Sequence, residues 1–123
     1  MIAPARVPFM ALEIHERERE GIVILDLEGR ITAGEEAGLL RDTLRRLAEG
    51  GHNRIILNLE KVDYIDSTGL GILIGIKRRI TERSGCLVLV LYSDRINKLF
   101  EITGLSKIFK IARNPEDAKK LLD

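Results

Sequence analysis

Tryptophan is absent from this chain of 123 residues, and aromatic residues make up only 4% of it. Proteins that bind single-stranded nucleic acids stack the bases on aromatic side chains, and this sequence offers few such platforms. Neither sign of charge dominates, because 20 lysines and arginines are balanced by 19 aspartates and glutamates. A net charge of +1 creates no broad field for a nucleic acid or a membrane surface. We therefore expect neither of them as a partner.

Cysteine is almost absent as well, with Cys86 as the single example. A disulfide within the chain is excluded, which is typical of proteins in a reducing cytoplasm. The apolar runs at 72–76 and 87–91 are far shorter than the roughly 20 residues that a membrane span requires. Residues 1–9 lack the apolar stretch of a signal peptide. The sequence thus predicts a cytoplasmic protein.

The residues that are present suffice for one domain. Hydrophobic residues form 45% of the chain and charged residues 32%, which is typical of a globular protein with its own core. Residues 1–9 contain Pro4 and Pro8 without any periodicity, and they are predicted to be a flexible leader. The domain is expected to span residues 10–123. Translation from Met1 and translation from Met10 are both compatible with this division.

Strand-like and helix-like segments alternate along the chain. The predicted strands cover residues 12–19, 22–27, 55–59, 87–91 and 107–111. The predicted helices begin at the capping-box spacing of 32–35, near Thr68, at Ser93 or Asp94, and at Asn114. The tight junction at Gly21 favours an antiparallel hairpin, and the later alternation favours parallel pairings with right-handed crossovers. We predict an α/β fold with a mixed, mostly parallel sheet of about five strands and about four helices.

Helical spacing also predicts which side chains face the core. In the first helix these are Ala37, Leu40, Leu44, Leu47 and Ala48, and in the second they are Leu73, Ile76 and Ile80. Glycines are expected to end both helices, at residues 50–51 and at Gly85. Gly29 is expected to end the second strand.

Residues 66–71 read Asp-Ser-Thr-Gly-Leu-Gly, between a predicted strand and a predicted helix. The first amides of a helix lack partners within it, and Asp, Ser or Thr can cap them. If Asp66 is the cap, Ser67 falls at the first helical position with its hydroxyl free. If Ser67 were the cap, the backbone would occupy that hydroxyl. A modifiable serine therefore needs a neighbour that does the capping, and Asp66 is suitable.

Gly71 and Gly75 lie four residues apart on one face of the same predicted helix. Glycine inside a helix costs about 1 kcal/mol relative to alanine, so a close approach by a strand or by a partner is expected there. Leu70 and Ile74 lie outside the predicted core face. They either pack under the third helix or form an apolar patch for a partner.

With its flanking strand and helix, the 66–71 segment resembles the signature of the STAS family, the anti-sigma-factor antagonists of bacteria. Residues 29–31, 55–59 and 100–105 resemble other recurring blocks of that family, so that the resemblance extends over about residues 12–122. One departure is Thr32, where many members have an aspartate. The resemblance implies a single STAS-like domain.

The resemblance also implies a function for the turn. In the family, the serine after the aspartate is a regulatory phosphorylation site, which corresponds to Ser67. The unphosphorylated chain would bind an anti-sigma factor that is also a serine kinase, and would so free a sigma factor for transcription. The kinase would phosphorylate Ser67 with ATP and release itself, and a serine phosphatase would reset the switch. The chain would need no cofactor or metal of its own. The residues expected to form the switch turn and contact the partner are Asp66, Thr68, Gly69, Leu70, Gly71 and Ile74.

Two other classes of function are compatible with parts of this sequence. An enzyme is disfavoured, because His15 and His52 lie in no readable catalytic motif and no metal-ligand spacing is present. Domains that resemble the STAS family also act as subunits of stress-sensing scaffolds and of lipid or anion transporter complexes. A kinase-like anti-sigma gene beside this one would favour the switch, and a transporter operon would favour the other role.

Overall fold

The five strands lie side by side in the order in which they occur in the chain. They are β1 (Leu12–Arg19), β2 (Ile22–Ile31), β3 (Arg54–Ile65), β4 (Cys86–Val90) and β5 (Lys110–Ala112). The first pair is antiparallel and the three following pairs are parallel. This computed structural model describes residues 11–122, and the predicted leader and both predicted ends of the domain lie outside that range. The prediction of a mixed, mostly parallel five-stranded sheet is confirmed.

Four α-helices connect or follow the parallel strands in residues 11–122. They are α1 (Glu35–Glu49), α2 (Ser67–Glu82), α3 (Asp94–Ile102) and α4 (Pro115–Leu121), and a 3₁₀ turn covers Leu105–Lys107. Two of the caps follow the prediction: Ser93 caps α3 and Asn114 caps α4, with Pro115 at the first helical position. Within these residues, no helix combines the length and the apolarity that crossing a membrane would need.

Helices pack on both faces of the sheet, so its central strands are buried on both sides. The larger core lies on the face covered by α1, α2 and α3, and the alternate residues of the strands pack beneath these helices. The smaller core lies under α4 and is built from Ile22, Ile24, Ile56, Val88, Val90, Ala112, Ala118 and Leu122. All residues predicted for the core faces of α1 and α2 are buried. A fully buried Leu or Ile contributes about 2 kcal/mol, so these two helices are held mainly by their apolar faces.

Two strands extend further than the sequence predicted. Gly29 does not end β2: its φ is +117°, and the pairing with β3 shifts register there. Glycine is needed because a side chain would meet the carbonyl of Ala11 and because L-residues rarely adopt this φ. Beyond the irregularity, β2 continues to Ile31 alongside Ile65 at the end of β3. The extension brings the loop after β2 to the same edge as the turn after β3.

Three predicted boundaries are wrong. The capping box at 32–35 does not form, because Gly34 precedes α1 and no side chain caps that helix. Ser84, with a φ of +59°, follows α2 in the left-handed conformation, so Gly85 does not serve as the left-handed stop. Gly85 is required for another reason, since a Cβ there would lie 2.5 Å from the carbonyl oxygen of Asn53. The last strand begins at Lys110, after the 3₁₀ turn.

Candidate functional site: the turn between β3 and α2

The predicted switch turn lies at the carboxyl end of β3, where open α/β sheets commonly place their sites. The backbone N–H of Asp66 donates to the carbonyl of Ile31 over 3.1 Å, which continues the pairing of β2 with β3 by one step. The turn is therefore held by the sheet on one side and by the first turn of α2 on the other.

Asp66 is the N-cap of α2, as one of the two capping alternatives required. Its Oδ1 accepts the N–H of Gly69 over 2.9 Å. Its Oδ2 accepts the N–H of Ala33 over 2.8 Å, in the loop between β2 and α1. One carboxylate thus starts α2 and fixes a second loop beside it. The bond to Ala33 was not predicted, because it joins residues 33 positions apart and uses a backbone donor that no side-chain pattern reveals.

The same hydrogen bonds set the ionisation of Asp66. The N–H of Gly69 and then the N–H of Ala33 stabilise the carboxylate and lower the pKa of Asp66 from its ordinary value of 3.8. A carboxyl group with a lowered pKa in the folded state stabilises the fold fully above its unfolded pKa. That contribution is lost as the pH falls through the lower, folded value.

We therefore expect Asp66→Asn to lower the melting temperature by a few degrees near neutral pH, because an amide NH₂ group replaces the acceptor that faces Ala33. The difference from wild type should shrink as the pH falls below about 4, the unfolded pKa, towards the lower folded pKa of Asp66, where the wild-type carboxylate is protonated as well. Thermal unfolding of both proteins across the acid range measures it. Asp63→Asn is the matched control, since that exposed carboxylate accepts no backbone N–H in residues 11–122. A difference that stays constant with pH would contradict this role for Asp66.

Ser67 is the first residue of α2, and its side chain is exposed. Among residues 11–122, its hydroxyl has no hydrogen-bond partner. Thr68 is also exposed, but the two hydroxyls belong to different surfaces: Ser67 lines a groove between α2 and α3, whereas Thr68 lines one between α1 and α2. Because Asp66 does the capping, the Ser67 hydroxyl is available to another molecule.

The groove between α2 and α3 has a volume of about 640 Å³ and an apolar floor. Leu70 of α2 lies opposite Leu99 and Ile102 of α3, and Ile102 is 75% exposed. Tyr64, which is 46% exposed, lies at the end where Ser67 is found. Large apolar side chains clustered at a surface in this way are typical of protein contact sites.

Two cationic residues of α3, Arg95 and Lys98, line the same groove. Neither forms an ion pair within the described part of the chain. Neither these two residues nor Tyr64, Leu99 and Ile102 were predicted from the sequence as site residues. Their positions depend on how α3 docks against α2. The sequence offered one indication: Ile96 and Phe100 mark the buried face of α3, so the cationic residues between and beside them fall on its other faces.

The remaining predicted site residues differ in their burial and in the atoms that they contact. Gly69 is buried, and a Cβ there would lie 2.8 Å from both the carbonyl oxygen of Ile31 and two isoleucine methyl groups. Leu70 and Ile74 are half-buried and pack against the larger core. Gly71 and Gly75 are exposed, and a Cβ at either would meet nothing within 4 Å. The close approach expected at these two glycines is therefore not made by a strand within residues 11–122.

The two histidines lie apart from this turn. His15 is on β1, 3.7 Å from Glu13, and His52 is in the loop between α1 and β3. Residues 11–122 contain no cluster of three or more His, Cys, Asp or Glu side chains with the geometry of a metal site.

The sequence of this chain matches a known protein family. The model of the STAS domain matches residues 13–118. The anti-sigma-B factor antagonist of Bacillus subtilis (strain 168) is 35% identical over 107 residues, which cover 87% of this chain and 96% of that protein. The anti-sigma-B factor antagonist of Staphylococcus aureus (strain NCTC 8325 / PS 47) is 38% identical over 77 residues, or 63% of this chain and 71% of that protein.

The fold is also similar to solved structures. The crystal structure of an anti-sigma factor antagonist from Mycobacterium paratuberculosis superposes with a TM-score of 0.82. The superposition covers 90% of this chain and 93% of that one, at 19% identity. At that identity the likeness concerns the fold alone.

Proposed function

This chain belongs to the STAS domain family, and we propose that it is an anti-sigma-factor antagonist whose binding is switched by phosphorylation of Ser67. In its unphosphorylated form it binds an anti-sigma factor that is also a serine kinase, and a sigma factor is freed for transcription. Phosphorylation ends the binding and a serine phosphatase restores it. The chain acts in the cytoplasm as a binding module and as the substrate of these enzymes, and it catalyses no reaction itself.

The observation that carries the proposal is the division of labour between Asp66 and Ser67. The carboxylate takes the capping bonds to Gly69 and Ala33, and the neighbouring hydroxyl is left exposed at the first position of α2. A kinase needs a hydroxyl that it can reach without unfolding the helix. Modification of Ser67 leaves both capping bonds of Asp66 in place.

A phosphate on Ser67 is compatible with the folded domain. The start of a helix favours anions, because its free N–H groups and its dipole stabilise negative charge. The phosphate adds about −1.5 to −2 charges at pH 7, and its effect therefore falls on whatever docks at the turn. The carboxylate of Asp66 lies next to it, so an acidic partner surface is repelled by both charges and an apolar one must desolvate them.

The groove between α2 and α3 is the surface that we assign to the partner. Its apolar floor begins beside Ser67 and runs along Leu70, Leu99 and Ile102. Because Ser67 lines the same groove, a partner seated on this floor lies beside the hydroxyl. After phosphorylation, Arg95 and Lys98 on the same groove attract the phosphate over the floor, which the partner then no longer reaches.

The related proteins support the same role. The relative from Bacillus subtilis, which aligns over 96% of its own length, is named an anti-sigma-B factor antagonist. An antagonist acts by binding, which agrees with a domain that presents an apolar groove with an exposed hydroxyl at one end, unpaired among the described residues. The sigma factor and the stimulus of this chain are to be found from the genes that neighbour its own.

Site-localising mass spectrometry of the chain isolated from its own cells tests the proposal. Trypsin releases residues 62–77 as one peptide that holds Tyr64, Ser67 and Thr68. We expect a phosphate on Ser67 whose occupancy differs between growth and stress, and none in a Ser67→Ala strain. Absence of phosphate under every condition would instead favour a constitutive subunit of a scaffold or transporter complex, with Asp66 as a purely structural cap.

A further inference from the structure

A second groove runs between α1 and α2 and has a volume of about 330 Å³. Gly71 and Gly75 line it on the side of α2, with apolar side chains such as Leu44 and Ile72 beside them. Thr68, the neighbour of Ser67, lies at one end, so that the groove is continuous with the switch turn. Thr68 and Gly71 were predicted to contact the partner, but the function proposed for the α2–α3 groove and Ser67 does not use this surface.

Packing among residues 11–122 does not account for the two glycines. Glycine weakens a helix relative to alanine, and an added Cβ at Gly71 or Gly75 would meet nothing within 4 Å. The bare backbone at these positions instead allows another chain to approach α2 closely.

Three arginines surround the same groove. Arg41 and Arg45 project from α1 and Arg79 from α2, and none of the described residues that line the groove with them is acidic. Within residues 11–122, Arg45 and Arg79 form no ion pair. Arg41 pairs only with its exposed neighbour Asp42, at 3.4 Å, and such exposed pairs contribute little. Guanidinium groups concentrated at one groove without counter-charges complement carboxylates.

We propose that this groove receives an acidic segment of the anti-sigma kinase and is a second contact surface beside the switch turn. The cations are spread along two helices, and α2 covers about 16 Å from Thr68 to Arg79. That distribution fits a segment with several carboxylates better than a single small anion. The inference rests on the proposed function, because the partner is the one that phosphorylates Ser67.

The test measures binding of the unphosphorylated chain to that kinase by titration calorimetry at two ionic strengths. Reversing charge with Arg45→Glu and Arg79→Glu should weaken binding by at least about 30-fold and flatten its dependence on salt. Arg19→Glu with Arg113→Glu is the matched control. Those arginines are exposed and outside the groove, and the net charge changes equally. Equal affinities of the two double variants would overturn the proposal.

A second variant tests whether the partner docks closely against the backbone of α2, in addition to being attracted by the arginines. Gly71→Ala should raise the melting temperature of the free chain, because the methyl group fits and alanine favours the helix. It should nevertheless weaken binding about tenfold, since the methyl group occupies the space of the docked segment. Unchanged binding by this more stable variant would also contradict the proposal.

Amide spectra of the isotope-labelled chain distinguish the other occupants. We expect the kinase to shift the Gly71 and Gly75 signals, and ATP alone to leave them unchanged. Shifts with ATP alone would assign the groove to a free nucleotide and overturn the proposal. The proposed function fails differently: then the kinase neither binds the wild-type chain nor phosphorylates Ser67, and the inference falls with it.

Discussion

Replacing Ser67 by aspartate is expected to weaken binding of the kinase by roughly 100-fold, or about 2.7 kcal/mol, while the melting temperature changes by a few degrees at most. The loss follows from a charge placed at the rim of the α2–α3 groove, where a docked partner would have to desolvate it beside the like charge of Asp66. Arg95 and Lys98 on the same groove attract that charge over the apolar floor rather than towards the partner. The fold tolerates the change because an acidic residue in the first turn of a helix is favourable. Titration of the kinase with the two proteins, together with thermal unfolding of each, measures both effects.

Two controls accompany this experiment. Ser67→Ala removes the hydroxyl without adding charge, and it should bind as wild type does and resist phosphorylation. Ser84→Asp adds the same charge beyond the far end of α2, at a residue with a φ of +59° that aspartate tolerates, and it should leave binding unchanged. Equal affinities of Ser67→Asp and wild type would contradict a switch at this turn.

Gly69→Ala is expected to destabilise the fold by about 2 kcal/mol, or roughly 8 °C in melting temperature. The added methyl group would lie 2.8 Å from the carbonyl oxygen of Ile31 and from methyl groups of Ile31 and Ile65. The backbone oxygen cannot move without disturbing the bond from the Asp66 N–H that it accepts. The clash therefore outweighs the gain in helix propensity of about 1 kcal/mol.

Gly71→Ala, two residues along the same helix, is the matched control for this effect. Its methyl group meets no atom within 4 Å, so the same substitution should stabilise the free chain by about 0.5–1 kcal/mol. Chemical denaturation of both variants measures whether the free energy of unfolding falls at Gly69 and rises at Gly71. Destabilisation of similar size at both positions would show that their location near the start of α2, rather than contact with β2 and β3, determines the change in stability.

The parts of the fold that follow a regular period were predictable. The five residues assigned to the inner face of α1 are buried, since a single helix period decides which of its side chains face the sheet. The ends of β2 and β3 were not predictable. The extension of β2 depends on the irregular pairing near Gly29. In β3, the two consecutive exposed residues Asp63 and Tyr64 interrupt the alternation of polar and apolar side chains by which a strand is recognised in a sequence.

The candidate site divides in the same way. Capping of α2 by Asp66 is local chemistry within three residues, and the sequence pattern was enough to expect it. The bond to Ala33 and the groove against α3 depend on how distant segments meet on the sheet. The sequence therefore predicted the position of the free hydroxyl but not the surface around it.

The order of the strands has a consequence for how this domain can be assembled. Every strand after the first pairs with the strand made just before it, so no strand must be inserted between two that have already joined. The connections between the parallel strands span about 20 residues each, namely 32–53, 66–85 and 91–109, so closing them costs less entropy than pairing strands that are distant in the chain. A chain emerging from the ribosome can thus extend its sheet one edge at a time. The turn with Ser67 takes shape once α2 has docked, whereas the groove beside it is completed only when α3 arrives.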